Sequence, residues 1–146
     1  KKQEGIFVNR LLDRCLISPS SVFFLRDFFC DYGGFNPNFR VAEDFELWLR
    51  LNIKNPIGYI DEPLTIKQAG DWNQLSSTRE IDRWRVLALH RIYRMHKIDP
   101  DFEPYLPECK NQLIKKTQIL IKGAVKYGHV KKSVQYQNWL NVFNTF

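Results

Sequence analysis

The chain has 146 residues, is 44% hydrophobic and carries a net charge of +6, enough for one compact domain with a core of its own. No apolar stretch approaches 18 residues, and Lys1-Lys2-Gln3-Glu4 lacks the hydrophobic run of a signal peptide, so neither a membrane span nor export is expected. The three cysteines, Cys15, Cys30 and Cys109, have no CxxC spacing and are odd in number, which points to free thiols in a reducing cytoplasm.

In chain order, Glu4 to Arg14 places Ile6, Phe7, Leu11 and Leu12 among charges and predicts an amphipathic helix. Pro19 and the hydroxyls around it mark a loop, after which Val22 to Leu25 is short, apolar and partly β-branched, predicting a buried strand. Arg26 to Tyr32 reads as a helix closed at Gly33-Gly34, where glycine accepts the left-handed conformation and also allows a ligand to approach the backbone. Asn36-Pro37-Asn38 is a turn. It leads into Arg40 to Leu51, RVAEDFELWLRL, the stretch most suggestive of chemistry. Phe45, Leu47, Trp48 and Leu51 share a broad apolar face, and Glu46 and Arg50 form an i, i+4 pair on the opposite side.

Glu43 and Asp44 stand at the start of this helix. Asp44 can be a capping or first-turn acid that complements the helix dipole, or a rigidly held carboxylate aimed into a cleft as a general base. Asn55-Pro56 closes the helix, and Ile57 to Ile60 and Leu64 to Lys67 read as two short strands or one strand broken at Pro63. Gln68 to Ser77 is a polar loop holding Trp72, which either stacks on a sugar or base or folds back onto the core. A long helix then begins near Ser77 or Thr78 and runs to about His96, made basic by Arg79, Arg83, Arg85, Arg91 and Arg94. Asp99 to Pro107 is a Pro-rich connector, followed by helices over Asn111 to Tyr127 and Val130 to Phe143 that form a hairpin about Gly128. From Cys109 to the end there are seven Lys and no Asp or Glu, a run that is either a solvated helix face or a surface for acidic partners. No nucleic-acid motif accompanies it, so none is expected as a ligand.

Three pieces, DYGGFNPNF at Asp31 to Phe39, the Glu43-Asp44 helix and GYIDEPLTIK at Gly58 to Lys67, together resemble the second half of an inverting family 2 glycosyltransferase of the GT-A fold. The resemblance runs from about Cys15 to Tyr93. It implies an α/β class, a partial GT-A-like domain over residues 1–97 with a few short strands flanked by helices, and a basic helical extension over 98–146. It implies transfer of a sugar from a nucleotide-sugar donor to an acceptor hydroxyl, with Asp44 as base and Glu43 positioning it or the acceptor. Gly34, Phe35, Trp48, Trp72, Arg83 and Arg85 then become substrate-binding residues, the arginines lying near the nucleotide diphosphate.

A family member needs Mg²⁺ or Mn²⁺, held by an Asp-x-Asp that this chain lacks, and Asp71 in the polar loop is a candidate oxygen ligand. Neither Gln68 nor Asp71 is the histidine that relatives often carry there. The nucleotide-binding half is missing too, so the chain alone is expected to bind nucleotide-sugars poorly and not to turn over. Apolar surface left open where that half would pack leaves room for a homo-oligomer. The competing expectation is a non-catalytic interaction module whose basic hairpin docks on a partner protein or at the membrane periphery.

Overall fold

The computed structural model describes residues 4–66, 78 and 81–146. Among them the regular structure is helical: α1 (Val8–Asp13), α2 (Arg26–Asp31), α3 (Glu43–Lys54), α4 (Ile81–Met95), α5 (Leu106–Lys126) and α6 (Val130–Asn144), with short 3₁₀ turns at Pro19–Ser21 and Pro100–Tyr105. No strand occurs among the described residues, and their β pairing is a single antiparallel bridge between Gly5 and Ile57.

This overturns the α/β expectation and, with it, the resemblance to half of a GT-A fold. The physical reason lies in the segments read as strands. Val22 and Leu25 do have extended backbone, with φ/ψ of −119°/138° and −67°/132°. Yet no segment among the described residues pairs with them, and Phe23 is 92% exposed instead of buried. Likewise Ile60, Leu64 and Ile66 lie in an exposed stretch, Ile66 at 90%. β-Branched and aromatic side chains favour a pleated, half-buried surface, but a ladder needs a partner at hydrogen-bonding distance. Lys67 and the loop over 68–77, with Asp71 and Trp72, lie outside the described residues.

Helix α3 is the centre of the molecule. Every residue from Phe45 to Ile53 is buried, so the helix is enclosed on all sides instead of presenting one wet face. Its apolar side chains join Val8, Leu11 and Leu12 of α1, Val86, Leu89 and Ile92 of α4, Phe102, Leu113 of α5 and Phe143 of α6 in one core. Asn52 turns this burial to use: its Oδ1 accepts from Phe7 N at 2.8 Å, and its Nδ2 donates to Gly5 O at 2.9 Å and Asn55 O at 3.1 Å. One amide thereby holds the N-terminal segment and the end of α3, satisfying main-chain groups that burial would otherwise leave unpaired.

The Glu46–Arg50 pair, expected opposite the apolar face, lies inside. Glu46 is 0% exposed, and Arg50, beyond its fork to Glu46, donates Nη1 to Tyr32 O and Nη2 to Gly34 O at 2.7 Å. Arg91 of α4 reaches the same carboxylate, Nε to Oε1 at 3.0 Å.

The helix ends follow the sequence closely. Helix α2 closes with Gly33 N donating to Cys30 O and Gly34 N to Phe29 O, and α5 closes the same way through Gly128 N to Val125 O and His129 N to Ala124 O. In each, a glycine in the left-handed region (Gly33 at φ +73°, Gly128 at +68°) satisfies the last carbonyls. Helix α5 starts earlier than predicted, at Leu106, because Pro107 sits in its first turn where the missing N–H costs nothing. The α5–α6 hairpin is as expected, and α5 also lies against α4 and α1.

Candidate functional site

The first turn of α3 carries Glu43, Asp44 and Glu46, three acids at the positive end of the helix dipole. Asp44 is therefore a first-turn acid, while the N-cap position belongs to Ala42, in the left-handed conformation at φ 61° and ψ 22° with no side-chain cap. A non-glycine residue there carries a backbone strain of about 1–2 kcal/mol. It bends the chain sharply into α3 and sets the direction from which Glu43 and Asp44 emerge, both half-buried.

Asp44 Oδ1 accepts from Phe45 N at 2.7 Å, and Oδ2 accepts from the Cys15 thiol at 3.6 Å. Cys15, expected from the sequence only as a free thiol, comes from a loop 29 positions earlier. Burial first, and the Asp44 charge second, push the Cys15 thiol up to about 11, so it stays protonated and donates. The positive charge of Arg85 on α4 opposes this rise weakly.

One turn beyond Asp44, and so on the same face of α3, stands Trp48. Its indole N–H donates to Ile17 O at 3.1 Å, and its ring stacks with Phe24 at a centroid separation of 5.6 Å. Phe24 meets Phe29 at 5.6 Å, and Phe29 meets Phe35 edge-on at 5.5 Å. These four rings, with Val22 and Arg26, line an open hollow of about 380 Å³.

Gly34 makes the approach between its turn and this aromatic row possible. A Cβ on it would lie 3.0 Å from the Phe29 ring, and its φ of +57° is one that side-chain-bearing residues resist. Gly34, Phe35 and Trp48, chosen through the resemblance, are thus brought together. Phe24, Phe29 and Cys15 complete the group, and the run Phe23-Phe24 followed by Phe28-Phe29 was the available signal for the first two.

The arginines divide. Arg83 places its Cζ 5.7 Å from the Trp84 ring centre, a cation–π contact. Arg85 donates Nη1 to Asp82 Oδ1 at 3.1 Å, while its buried Nε has no partner among the described residues. No group of three or more His, Cys, Asp or Glu side chains gathers among the described residues, so they do not fit a cation cage. Nor is any helix among them long and apolar enough to cross a membrane. Comparison with protein-family models, with curated proteins and with solved structures finds no match to this chain.

Proposed function

We propose that the chain serves as the acceptor-side part of a sugar-transferring enzyme, with Asp44 as general base. The observation that carries the reading is that Asp44 stands one helical turn before Trp48, which lines a hollow together with Phe24, Phe29 and Phe35. A pyranose offers one face of C–H groups and a rim of hydroxyls. The C–H face suits an aromatic wall, and a carboxylate at the rim can accept a hydroxyl proton.

As that hydroxyl attacks the anomeric carbon of a nucleotide-sugar from the face opposite the leaving diphosphate, its proton passes to Asp44 and the configuration inverts. Glu43, adjacent on the first turn, orients the acceptor. Arg85, in this reading, supplies positive charge for the diphosphate as it leaves. No step is assigned to a metal. The donor nucleotide is bound, in this reading, by residues outside these 146, so the chain alone engages acceptor but does not turn over. The free thiols of Cys15, Cys30 and Cys109 suit a cytoplasmic setting.

Calorimetric titration of the chain with mono- and oligosaccharides tests the hollow: Phe35→Ala should weaken a bound saccharide about tenfold, whereas Asp44→Asn should leave its affinity nearly unchanged. In the enzyme containing the donor-binding part, Asp44→Asn should lower turnover on the order of 100-fold or more. Retained turnover would remove Asp44 from the role of base.

A further inference from the structure

The end of the molecule formed by the α5–α6 turn is not used by the reading above. Here Val125, Tyr127, Val130 and Val134 are exposed, Val130 at 72% and Tyr127 at 69%. A shallow hollow of about 200 Å³ between the two helix ends is lined by Ala124, Val125, Gly128, Val130, Ser133 and Val134, so these apolar groups form one surface. Lys122 and Lys126 of α5 and Lys131 of α6, close to these residues along the two helices, are exposed, and Lys126 Nζ lies 5.5 Å from the centre of the Tyr127 ring. No acid occurs anywhere from Cys109 to the C-terminus.

We propose that this tip docks on an anionic lipid surface, with Val125, Tyr127, Val130 and Val134 entering the boundary between headgroups and acyl chains. Lys122, Lys126 and Lys131 would lie against the headgroup phosphates and carboxylates. The composition favours a bilayer over a protein partner. Protein interfaces are enriched in aromatic side chains, Met and Arg and depleted in Lys, whereas this surface sets lysines beside an aliphatic centre, the pattern of an interfacial membrane contact. Lysine stems lie along apolar surface while their ammonium groups reach the polar layer, and a tyrosine suits the interface between the two. Nucleic acid would meet three valines that neither stack on bases nor bond to phosphates. Gly128, at φ +68°, closes α5 and leads straight into α6, so residues of both helix ends line the same hollow. Since no helix among the described residues is long and apolar enough to span a bilayer, the contact is peripheral. None of this depends on the role of Asp44.

Co-sedimentation with vesicles of phosphatidylcholine, with and without phosphatidylserine, tests the proposal. The chain should bind the anionic vesicles, and Lys122→Glu with Lys126→Glu and Lys131→Glu should weaken that binding by roughly a hundredfold. Val130→Ser with Val134→Ser, which leaves the charge untouched, should weaken it roughly tenfold, circular dichroism confirming an unchanged helical content. Failure to bind anionic vesicles would overturn the proposal. So would an unchanged affinity in the Val130/Val134 variant, which would reduce the contact to the general attraction of a basic protein. Concentration-dependent self-association abolished by the Val130/Val134 variant, with no vesicle binding, would show that a second copy covers the tip instead.

Discussion

Arg50 Nε lies 2.7 Å from Glu46 Oε1 and its Nη2 3.0 Å from Oε2, a two-point fork enclosed within the core. Because Arg50 also donates to Tyr32 O and Gly34 O, the pair fastens the glycine turn, and with it Phe35, to α3. A fully desolvated ion pair of this kind gives modest net stability but is costly to break on one side only, since the remaining charge stays buried. Glu46→Ala should therefore cost about 3–5 kcal/mol, read as a lower denaturant midpoint. A loss under about 1 kcal/mol, the level of an exposed pair, would contradict the enclosed geometry.

The thiols should react in a fixed order. Cys30 is exposed, Cys15 is partly buried and donates to Asp44, and Cys109 is buried with Sγ 3.3 Å from Leu89 O. Burial before all else lifts Cys109 to about 12, and burial with the Asp44 charge lifts Cys15 to about 11, both from an ordinary 9.0. A maleimide at neutral pH should label Cys30 first, Cys15 much more slowly, and Cys109 only on unfolding. The same shifts set a pH limit. Between about pH 9 and 11 the unfolded chain releases protons that the folded thiols retain, so stability should fall as pH rises through that window. Denaturant midpoints at the two ends of the window check the sign, which would be wrong if stability held or rose.

Ala42 offers a test of backbone strain. At φ 61° a β-branched side chain is far more strained than alanine, so Ala42→Val should destabilise by about 2 kcal/mol or more and misdirect Asp44. Ala42→Gly relieves the strain but loses a buried methyl group and adds unfolded-state entropy, so it should stay within about 1 kcal/mol of the parent. Equal effects from the two substitutions would show that the left-handed conformation is not what matters.

Helices were the legible part of this sequence. Their caps, periodicity and closing glycines are local, and α2, α3, α5 and α6 appear close to where the pattern put them. Val22 to Leu25, Ile57 to Ile60 and the described part of Leu64 to Lys67 form no strand, because strand propensity says nothing of whether a second strand is present. Glu46 was misplaced for a different reason. An i, i+4 acid–base pair usually marks a wet face, and Phe45, Leu47, Trp48, Leu49, Leu51 and Ile53 leave an arc of about 120° in which Glu46 and Arg50 stand, so only Asn52 falls within the apolar arc; the pair is covered through contacts with Tyr32, Gly34 and Arg91 that leave no local pattern. Of the site, Asp44 and its neighbours on α3 were visible, since they lie within one turn. Cys15 was not, because a contact across 29 residues leaves no periodic trace.

Asp13 receives Lys115 on its carboxylate at 3.3 Å and Lys116 on its main-chain oxygen, contacts spanning 102 and 103 residues. Together with the hold of Asn52 on Phe7 across 45 residues, they make the N-terminal segment the last piece for which loop closure is repaid, since its partners must first be in place. The α5–α6 hairpin, by contrast, joins neighbours in sequence and can form early. Assembly is therefore expected to begin at the C-terminal hairpin, with the first helix docking late.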